Sequence, residues 1–330
     1  MLIDAHAHVL PGTFPSVEGR PACWPRWDEA EVPDARLLVT DRMRFTARDA
    51  FYSAEARLAA QQESRVDAEV LSPMPPLLDE RLPAGDARDL SRCVNDFIAE
   101  LCGAYPERFH GLGMVPIEDP ELAAAELTRV RGIGLRGVEI TSQIRGRSPG
   151  DPHFLPFFAE AERLELSVFV HAMPGPMGTR LPASAAGTYV VGIEGAIAAA
   201  SFIIEGTAAA CPDLRVAFSH AAGGLALMLP RARYFWGRSW NEDPPTKETE
   251  GPSPLSEARR FYYDGLVFDR RALRYVIDML GADRVMVGSD FPAIPREHPA
   301  GATLMELGLD DATLENITAH NPLRWLGLAS

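Results

Sequence analysis

Short apolar segments alternate along the chain with longer segments in which apolar residues recur every three or four positions. A short apolar run predicts a buried strand, whereas the longer period predicts an amphipathic helix. The predicted strands are Leu2–His6, Ala68–Ser72, Phe109–Val115, Gly137–Thr141, Leu166–His171, Arg215–His220, Phe261–Asp264 and Arg284–Ser289. The predicted helices are Ala54–Glu63 with Ser53 as its N-cap, Asp86–Tyr105, Glu121–Arg131, Phe154–Glu165, Glu194–Ala210, Gly224–Trp236 and Arg270–Leu280.

Strands that are apolar throughout must be covered on both faces, which is typical of parallel sheets. Eight such strands alternating with helices predict an α/β protein, a (β/α)8 TIM barrel that forms one domain over residues 1–330. A doubly wound open sheet is the alternative fold. Against it, no Gly-x-Gly-x-x-Gly motif opens the first helix, and the chain contains no P-loop.

Residues 10–50 are more than a minimal barrel needs between its first strand and its first helix. Within them, Arg36–Phe45 predicts a small hairpin that turns at Asp41-Arg42. Long insertions at the C-terminal face of a barrel usually build a lid or a binding wall, and we expect one of these here. At the other end of the chain, residues 310–330 predict a helical tail that is broken at His320-Asn321-Pro322.

The 330 residues carry a formal net charge of −14 and are 46% hydrophobic. The acidic balance argues against nucleic acid and anionic membrane surfaces as partners. It does not exclude an anionic small substrate, because a metal ion and a few arginines dominate the field inside a pocket. No run of 18 apolar residues predicts a membrane span, and the N-terminus enters a strand without a leader pattern, so we expect a cytoplasmic protein.

Lysine occurs once, as Lys247 in the polar stretch 240–255, which predicts an exposed loop. Schiff-base chemistry requires a buried lysine, and so does a pair of metals bridged by a carboxylated lysine. Neither is expected here, and a single metal ion is the expected count. The four cysteines form no Cys-x-x-Cys pair, so we expect reduced, mostly buried thiols.

Five polar residues lie at the C-terminal ends of predicted strands: His6, His8, His171, His220 and Asp290. Alternate side chains of a strand share one face, so both imidazoles of the first strand point to one spot. Each residue alone is ambiguous, because an isolated histidine on an apolar strand is more often a core residue. Together, at the face where barrel enzymes have their active sites, they predict a metal centre. Nitrogen and carboxylate ligands favour Zn²⁺, with Mn²⁺ or Fe²⁺ as alternatives.

The chain resembles the aminocarboxymuconate-semialdehyde decarboxylase branch of the amidohydrolase superfamily over nearly its whole length. The segments that carry the resemblance are Asp4–Pro11, Ala161–Leu164 with Val168–His171, Cys211–His220, Phe261–Asp264 and Gly288–Pro292. The resemblance implies one divalent metal ion held by His6, His8, His171 and Asp290, with a water completing its coordination. It also implies that His220 stays off the metal and acts on that water as an acid or base, and Asp290 is a second candidate for moving a proton.

A carboxylate substrate needs a cationic partner, ideally a bidentate arginine. The candidates are Arg44 and Arg48 in the insertion, Arg180 after the fifth strand, and Arg231. The resemblance implies one arginine from the insertion and one from a neighbouring subunit, hence a homodimer. Arg231 matches the second position, whereas Phe45 falls where the family has its insertion arginine.

The expected function is therefore metal-dependent, non-oxidative decarboxylation of a small unsaturated or aromatic carboxylic acid. The alternative is a hydrolase of the same superfamily that cleaves a lactone or an amide with the same metal-activated water, and a hydratase of unsaturated acids is a third option. A binding module without catalysis is disfavoured, because four ligands with a spare histidine serve no evident binding purpose.

Overall fold

The computed structural model describes residues 1–236 and 252–328, so Lys247 and most of the predicted loop 240–255 lie outside the described residues. Eight strands form one parallel sheet: β1 (Ile3–Val9), β5 (Ala68–Pro73), β6 (Phe109–Gly113), β7 (Gly137–Thr141), β8 (Ser167–His171), β9 (Val216–Phe218), β10 (Tyr262–Asp264) and β11 (Val285–Met286). The sheet curls until its ends meet, where the Ala5 amide donates to the Val287 carbonyl at 2.8 Å and Ala7 pairs with Phe291. The predicted (β/α)8 barrel is confirmed.

The helices pack around this barrel. Their bounds are α1 (Ala54–Ser64), α2 (Ala84–Ala104), α3 (Pro120–Gly132), α4 (Leu155–Arg163), α5 (Val191–Ile204), α6 (Thr207–Ala210), α7 (Leu225–Phe235), α8 (Pro254–Ala258), α9 (Arg270–Leu280), α10 (Ala302–Met305), α11 (Asp311–Glu315) and α12 (Asn321–Trp325). Ser53 caps α1 as predicted, because its hydroxyl accepts from the Ala56 amide at 3.2 Å.

Two predicted helices differ from the structure. The predicted helix Glu194–Ala210 is divided into α5 and α6 at Gly206, whose φ of 86° only glycine adopts easily. The predicted break at His320-Asn321-Pro322 is wrong, because a π-helical turn, Asn316–His320, joins α11 to α12. Proline is tolerated there because it occupies the first turn of α12, where no helical amide hydrogen bond is lost.

The insertion forms a separate antiparallel sheet of three strands, β2 (Arg26–Glu29), β3 (Ala35–Val39) and β4 (Arg44–Arg48). The β3–β4 hairpin turns at Asp41-Arg42, where the Thr40 amide donates to the Met43 carbonyl at 2.9 Å. The sequence analysis predicted this hairpin but not β2. Arg81, in the loop after β5, binds Asp41 at 2.7 Å, so the hairpin tip is held against the C-terminal end of the barrel.

Two hydrophobic clusters lie on the two sides of the barrel wall. The inner one contains Ile3 and Ala5 of β1, Ala68 and Val70 of β5, and other inward side chains, and Trp325 of α12 closes its N-terminal end. The outer one packs strands against helices.

One helical stretch, Ala183–Ile204, is long and apolar enough to cross a membrane by length and composition alone. Within its most apolar window, 44% is buried inside the structure, and α5 packs on β8, α7 and α8. A core helix of a barrel has the same properties.

Candidate metal centre

Four histidines and one aspartate meet at the C-terminal mouth of the barrel. Four of them, His6, His171, His220 and Asp290, each offer one ligand atom within 4.8 Å of the others. His8 adjoins the same cluster, since its Nε2 lies 3.0 Å from the Asp290 carboxylate and 3.0 Å from the His6 Nε2. All five predicted residues are thus brought together. The geometry alone does not decide which of them bind an ion, so the ligand set predicted from the resemblance stays a prediction.

An irregularity in β1 aims its two histidines into the barrel. Asp4 of β1 pairs with Glu69 of β5, and Ala7 pairs with Leu71. Between these two pairs β1 advances by three residues, whereas β5 advances by only two. This β-bulge reverses the alternation of the strand, because one extra residue is inserted on one side of the pair. Ile3 and Ala5 face inward before it, and His6 and His8 face inward after it. Asp4 consequently points to the outer layer.

Hydrogen bonds fix the tautomers of both β1 histidines. The His6 Nδ1–H donates to the Asp264 carboxylate at 2.7 Å, and the His8 Nδ1–H donates to the Pro73 carbonyl at 3.0 Å. Each Nε2 therefore presents a lone pair, and the two atoms are 3.0 Å apart beside a carboxylate of Asp290. Two lone pairs and an anion repel one another unless a cation lies among them, so these residues fit a divalent metal ion.

The backbone is strained where the chain leaves the barrel after β9 and after β11, the sixth and eighth strands of the barrel. His220, Ala221 and Ala222 have φ values of 52°, 52° and 51°, and Asp290 has a φ of 59°. This left-handed region costs a non-glycine residue about 1–2 kcal/mol. The left-handed conformation at His220 also explains why β9 ends at Phe218, earlier than predicted, and β11 ends early as well, at Met286. Strain of this kind concentrates at functional sites, and here it turns His220 and Asp290 toward each other, with 3.5 Å between Nε2 and Oδ2.

The environment keeps the ligands in their metal-binding charge states. Burial lowers the pKa of His171 well below its ordinary value, which leaves the imidazole neutral with its lone pair available. Burial alone would raise the pKa of Asp290, but the hydrogen bond from His220 lowers it well below its usual range. The carboxylate of Asp290 is therefore held in its ionised form.

Glu139 of β7 is a site residue that the sequence analysis missed. It is fully buried, its carboxylate lies 3.7 Å from the His8 Nδ1, and neither oxygen has a hydrogen-bond partner among the described residues by strict geometry. Burial raises its pKa to about 8. The sequence does contain a signal for Glu139, because it is an acidic residue in the centre of the apolar strand Gly137–Thr141. A carboxylate buried in this way needs a partner.

A cleft of about 230 Å³ opens at the same C-terminal end of the barrel, and none of the five residues of the cluster lines it. It is bordered by Thr141, which pairs with His171 across β7 and β8, and by Met173 and Pro174, which follow His171. The insertion hairpin contributes Thr40, Arg42 and Met43 to the lining, which is completed by Gln143, residues 75–76 and residues 78–81. The insertion thus forms one wall of the cleft.

The structure places the predicted substrate-binding arginines as follows. Arg44 and Arg48 are exposed on β4, Arg180 is exposed in the loop after β8, and Arg231 is exposed on α7, stacked 4.9 Å from the Phe235 ring. Among the described residues that line the cleft, the insertion contributes Arg42 rather than Arg44 or Arg48. The roles of the four predicted arginines remain predictions.

Comparison with known proteins now bears on the identity of this site. The sequence model of the amidohydrolase family matches residues 3–328. The chain belongs to the amidohydrolase family. It is 28% identical to 2-amino-3-carboxymuconate-6-semialdehyde decarboxylase of Dictyostelium discoideum, over 99% of this chain and 91% of that protein. It is also 28% identical to gamma-resorcylate decarboxylase of Rhodococcus jostii, over 90% of this chain and 86% of the relative.

Solved structures of decarboxylases have the same fold as this chain. This amidohydrolase is similar to 5-carboxyvanillate decarboxylase from Sphingomonas paucimobilis, with a TM-score of 0.81, 26% identity and 99% of each chain covered. It also shares the fold of a dihydroxybenzoic acid decarboxylase from a Polaromonas species, solved with manganese and 2-nitroresorcinol, with a TM-score of 0.75, 24% identity, and 85% and 88% of the chains covered. The predicted superfamily and branch are confirmed, and the decarboxylases among its relatives agree with the predicted carboxy-lyase class.

Proposed function

We propose that this amidohydrolase is a divalent-metal-dependent, non-oxidative decarboxylase of a small aromatic or unsaturated carboxylic acid. Its relatives named above are decarboxylases of such acids. The observation that carries the proposal is the convergence of the His6 and His8 lone pairs on the Asp290 carboxylate, with His171 neutral beside them. When bound there, a divalent ion would orient the substrate and neutralise charge that develops on its oxygen atoms.

The chain's own residues supply the proton. Non-oxidative decarboxylation replaces a carboxylate group by a proton. The bond between the substrate carbon and the carboxylate breaks, CO₂ leaves, and the electron pair of the broken bond stays on the carbon and forms the new C–H bond. The candidate for delivering that proton is His220, because its Nε2 lies within the cluster, 3.5 Å from the Asp290 carboxylate. Asp290 would serve as a ligand and as the carboxylate that faces His220, and its role in moving a proton stays a prediction.

The cleft fits the size and charge of such a substrate. Its volume of about 230 Å³ admits one ring or a short chain. The Arg81 guanidinium is occupied by Asp41 and Asp79, whereas Arg42 has no carboxylate within salt-bridge distance among the described residues. We infer that Arg42 binds a substrate carboxylate from the hairpin, in the role predicted for Arg44 or Arg48.

A homodimer is also part of the proposal. An apolar face on the helical stretch around α5 and on α7 is exposed, and its members are Tyr189, Ile193, Ile197, Ile204, Leu227, Met228 and Tyr234. These exposed apolar side chains lie on two helices that contact each other, and exposed apolar surface of this kind often marks an interface. A second copy of the chain would cover it, and Arg231 lies within the same stretch of α7. Leu227→Asp should convert the dimer to a monomer in analytical ultracentrifugation, and a dimer unaffected by it would exclude this face.

The function is tested by preparing metal-free protein, adding Zn²⁺, Mn²⁺ or Fe²⁺, and measuring CO₂ release from a panel of hydroxybenzoates and unsaturated dicarboxylates. A parallel panel of lactones and amides tests the hydrolase alternative. We expect CO₂ release that needs the metal, is lost in His220→Asn with the metal retained, and is lost together with the metal in Asp290→Asn. His110→Asn, a histidine of strand β6 outside the cluster, is the matched control and should change neither. Hydrolysis without CO₂ release would overturn the decarboxylase proposal.

A further inference from the structure

Behind the metal centre, between the barrel wall and the outer layer, lies a buried cluster of four charged side chains. Asp4 and Glu69 project outward from paired positions on β1 and β5, and each is fully buried. Arg57 of α1 and Arg296, from the segment after β11, lie against them and are nearly as buried. The formal charges of the four groups cancel. Burying four charges is costly and on average adds little stability, so a cluster of this kind calls for another explanation.

Arg296 connects both carboxylates. Its Nε donates to Asp4 at 3.0 Å, its Nη2 lies 2.9 Å from the same carboxylate, and its guanidinium also binds Glu69. Arg57 binds Glu69 at 2.7 Å from the other side. The four groups thus form one continuous chain from α1 to the segment after β11.

The chain of charges is attached to the backbone of the predicted metal ligands on the β1 side. The Asp4 carboxylate accepts from the His6 amide at 3.2 Å. The Arg57 guanidinium donates to the His8 carbonyl. Both histidines that the bulge turns inward are therefore held from behind, at the point where β1 departs from regular pairing.

The same four charged side chains also bind the segment around Asp290, through more contacts than they make with the β1 histidines. Asp4 accepts from the Ser289 amide at 3.1 Å and from its hydroxyl, and the Arg296 Nε lies 3.2 Å from that hydroxyl. On the other side of Asp290, the Phe291 ring lies 4.0 Å from the Arg296 guanidinium carbon. A cation over an aromatic face is attractive, and more so where both are desolvated. Both neighbours of Asp290 are thus fixed while its own backbone is held in a left-handed conformation.

We propose that Arg296, acting through Asp4, Ser289 and Phe291, is the positioning residue that holds Asp290 and the two β1 histidines at metal-binding distance. The inference rests on the proposed function in that it assumes a metal at this centre. Arg296 touches neither the cleft nor the ligand atoms, so its effect passes through the backbone. Groups that orient metal ligands change metal affinity by about 10- to 100-fold when removed.

The test is a titration of the full chain with Mn²⁺ against a chromophoric chelator, alongside thermal unfolding of the metal-free protein. Arg296→Met should weaken Mn²⁺ binding by about 10- to 100-fold. Arg296→Lys, which keeps the charge but cannot bridge Asp4 and Glu69, should give an intermediate loss and carries the test if the methionine variant does not fold. Arg215→Met is the control, because that guanidinium binds the Trp325 carbonyl at 2.8 Å at the opposite end of the barrel. It should lower the unfolding temperature and leave Mn²⁺ affinity unchanged.

The outcomes separate this inference from the proposed function. Unchanged Mn²⁺ affinity in folded Arg296→Met or Arg296→Lys, with only a lower unfolding temperature, would show a purely structural role and overturn the inference alone. An unsubstituted protein that does not bind Mn²⁺ would overturn the metal centre and the inference with it. A further supporting result is a fall in kcat of the metal-saturated Arg296→Lys protein with KM unchanged, since a misplaced ligand set impairs turnover more than substrate capture.

Discussion

Asp264 offers the sharpest test of how the metal centre is built. Its Oδ2 accepts the His6 Nδ1–H at 2.7 Å, and its Oδ1 accepts from the backbone amides of Ala221 and Leu266 at 3.3 and 3.1 Å. Both side chains of the Asp264–His6 pair are fully buried. Burial by itself would raise the pKa of Asp264, but the hydrogen bond from His6 outweighs it, so the pKa is lowered and the carboxylate is ionised.

Asp264→Asn cannot satisfy all these partners. If the amide oxygen stays on the backbone amides, its NH₂ group faces His6 and forces the proton onto Nε2, which removes the lone pair from the metal. If the amide flips, the NH₂ group meets two N–H donors instead. Losing a charged, buried hydrogen bond costs about 1.5–3 kcal/mol. Removing a group that orients a metal ligand costs about 10- to 100-fold in affinity, which is about 1.4–2.8 kcal/mol, so the two estimates agree.

The measurement is Mn²⁺ affinity of Asp264→Asn by competition with a chromophoric chelator. Asp269→Asn is the matched control, because Asp269 follows β10 five residues later and also accepts from backbone amides, at 2.8 and 3.1 Å, where it caps α9. It should change neither the metal affinity nor, by much, the unfolding free energy, because asparagine caps a helix about as well as aspartate. If Asp264→Asn binds Mn²⁺ as tightly as the unsubstituted protein, the tautomer argument for His6 is refuted.

Three further predictions follow from local packing and burial. Gly288→Ala would place its Cβ 2.6 Å from the Asp264 Cβ and 2.9 Å from the His6 Cβ, so we expect a loss of about 1–3 kcal/mol in unfolding free energy and weaker Mn²⁺ binding, measured by urea titration with and without the metal. Burial raises the pKa of Glu118 from 4.5 to about 7, so the folded state holds this proton more tightly and stability should fall as pH rises between these values. Glu118→Gln should remove that fall and add about 1–2 kcal/mol at pH 8, from urea midpoints at pH 5 and 8. Phe202→Ala deletes a fully buried ring of the outer cluster and should cost about 3–5 kcal/mol by the same titration.

Each of these has a result that would contradict it. Gly288→Ala with unchanged metal affinity would show that the segment after β11 can move away from His6 freely. A Glu118→Gln difference equal at both pH values would show that the carboxyl is not protonated in the folded state near neutral pH. A Phe202→Ala cost below about 1 kcal/mol would mean that the outer cluster collapses into the space.

The barrel and the members of its centre could be predicted because they depend on position along the strands. Apolar runs locate the strands, and the residue that follows each run lies at the C-terminal mouth whatever the details of packing. His6, His171, His220 and Asp290 all obey this rule. The hairpin at Asp41-Arg42 was predictable for a similar reason, since turn residues between two apolar segments specify it locally.

Side-chain directions and partners could not be predicted in the same way. Spacing by two would place Asp4 on the face of His6 and His8, but the bulge sends it to the opposite face. Arg296 and Asp4 are distant in sequence, and their pairing depends on closure of the barrel. Arg42 differs from Arg44 as a cleft residue only because it occupies a turn rather than a strand, which spacing does not reveal.

Barrel closure also decides when the centre can exist. Asp4 and Ser289, which flank the first and last of its predicted ligands, lie 285 positions apart and meet only across the seam of the sheet. A newly synthesised chain therefore presents three imidazoles and a further histidine well before it presents the carboxylate. Binding of the ion would therefore require a completely folded barrel. Truncated fragments of this chain would bind it weakly even where their helices and strands have formed.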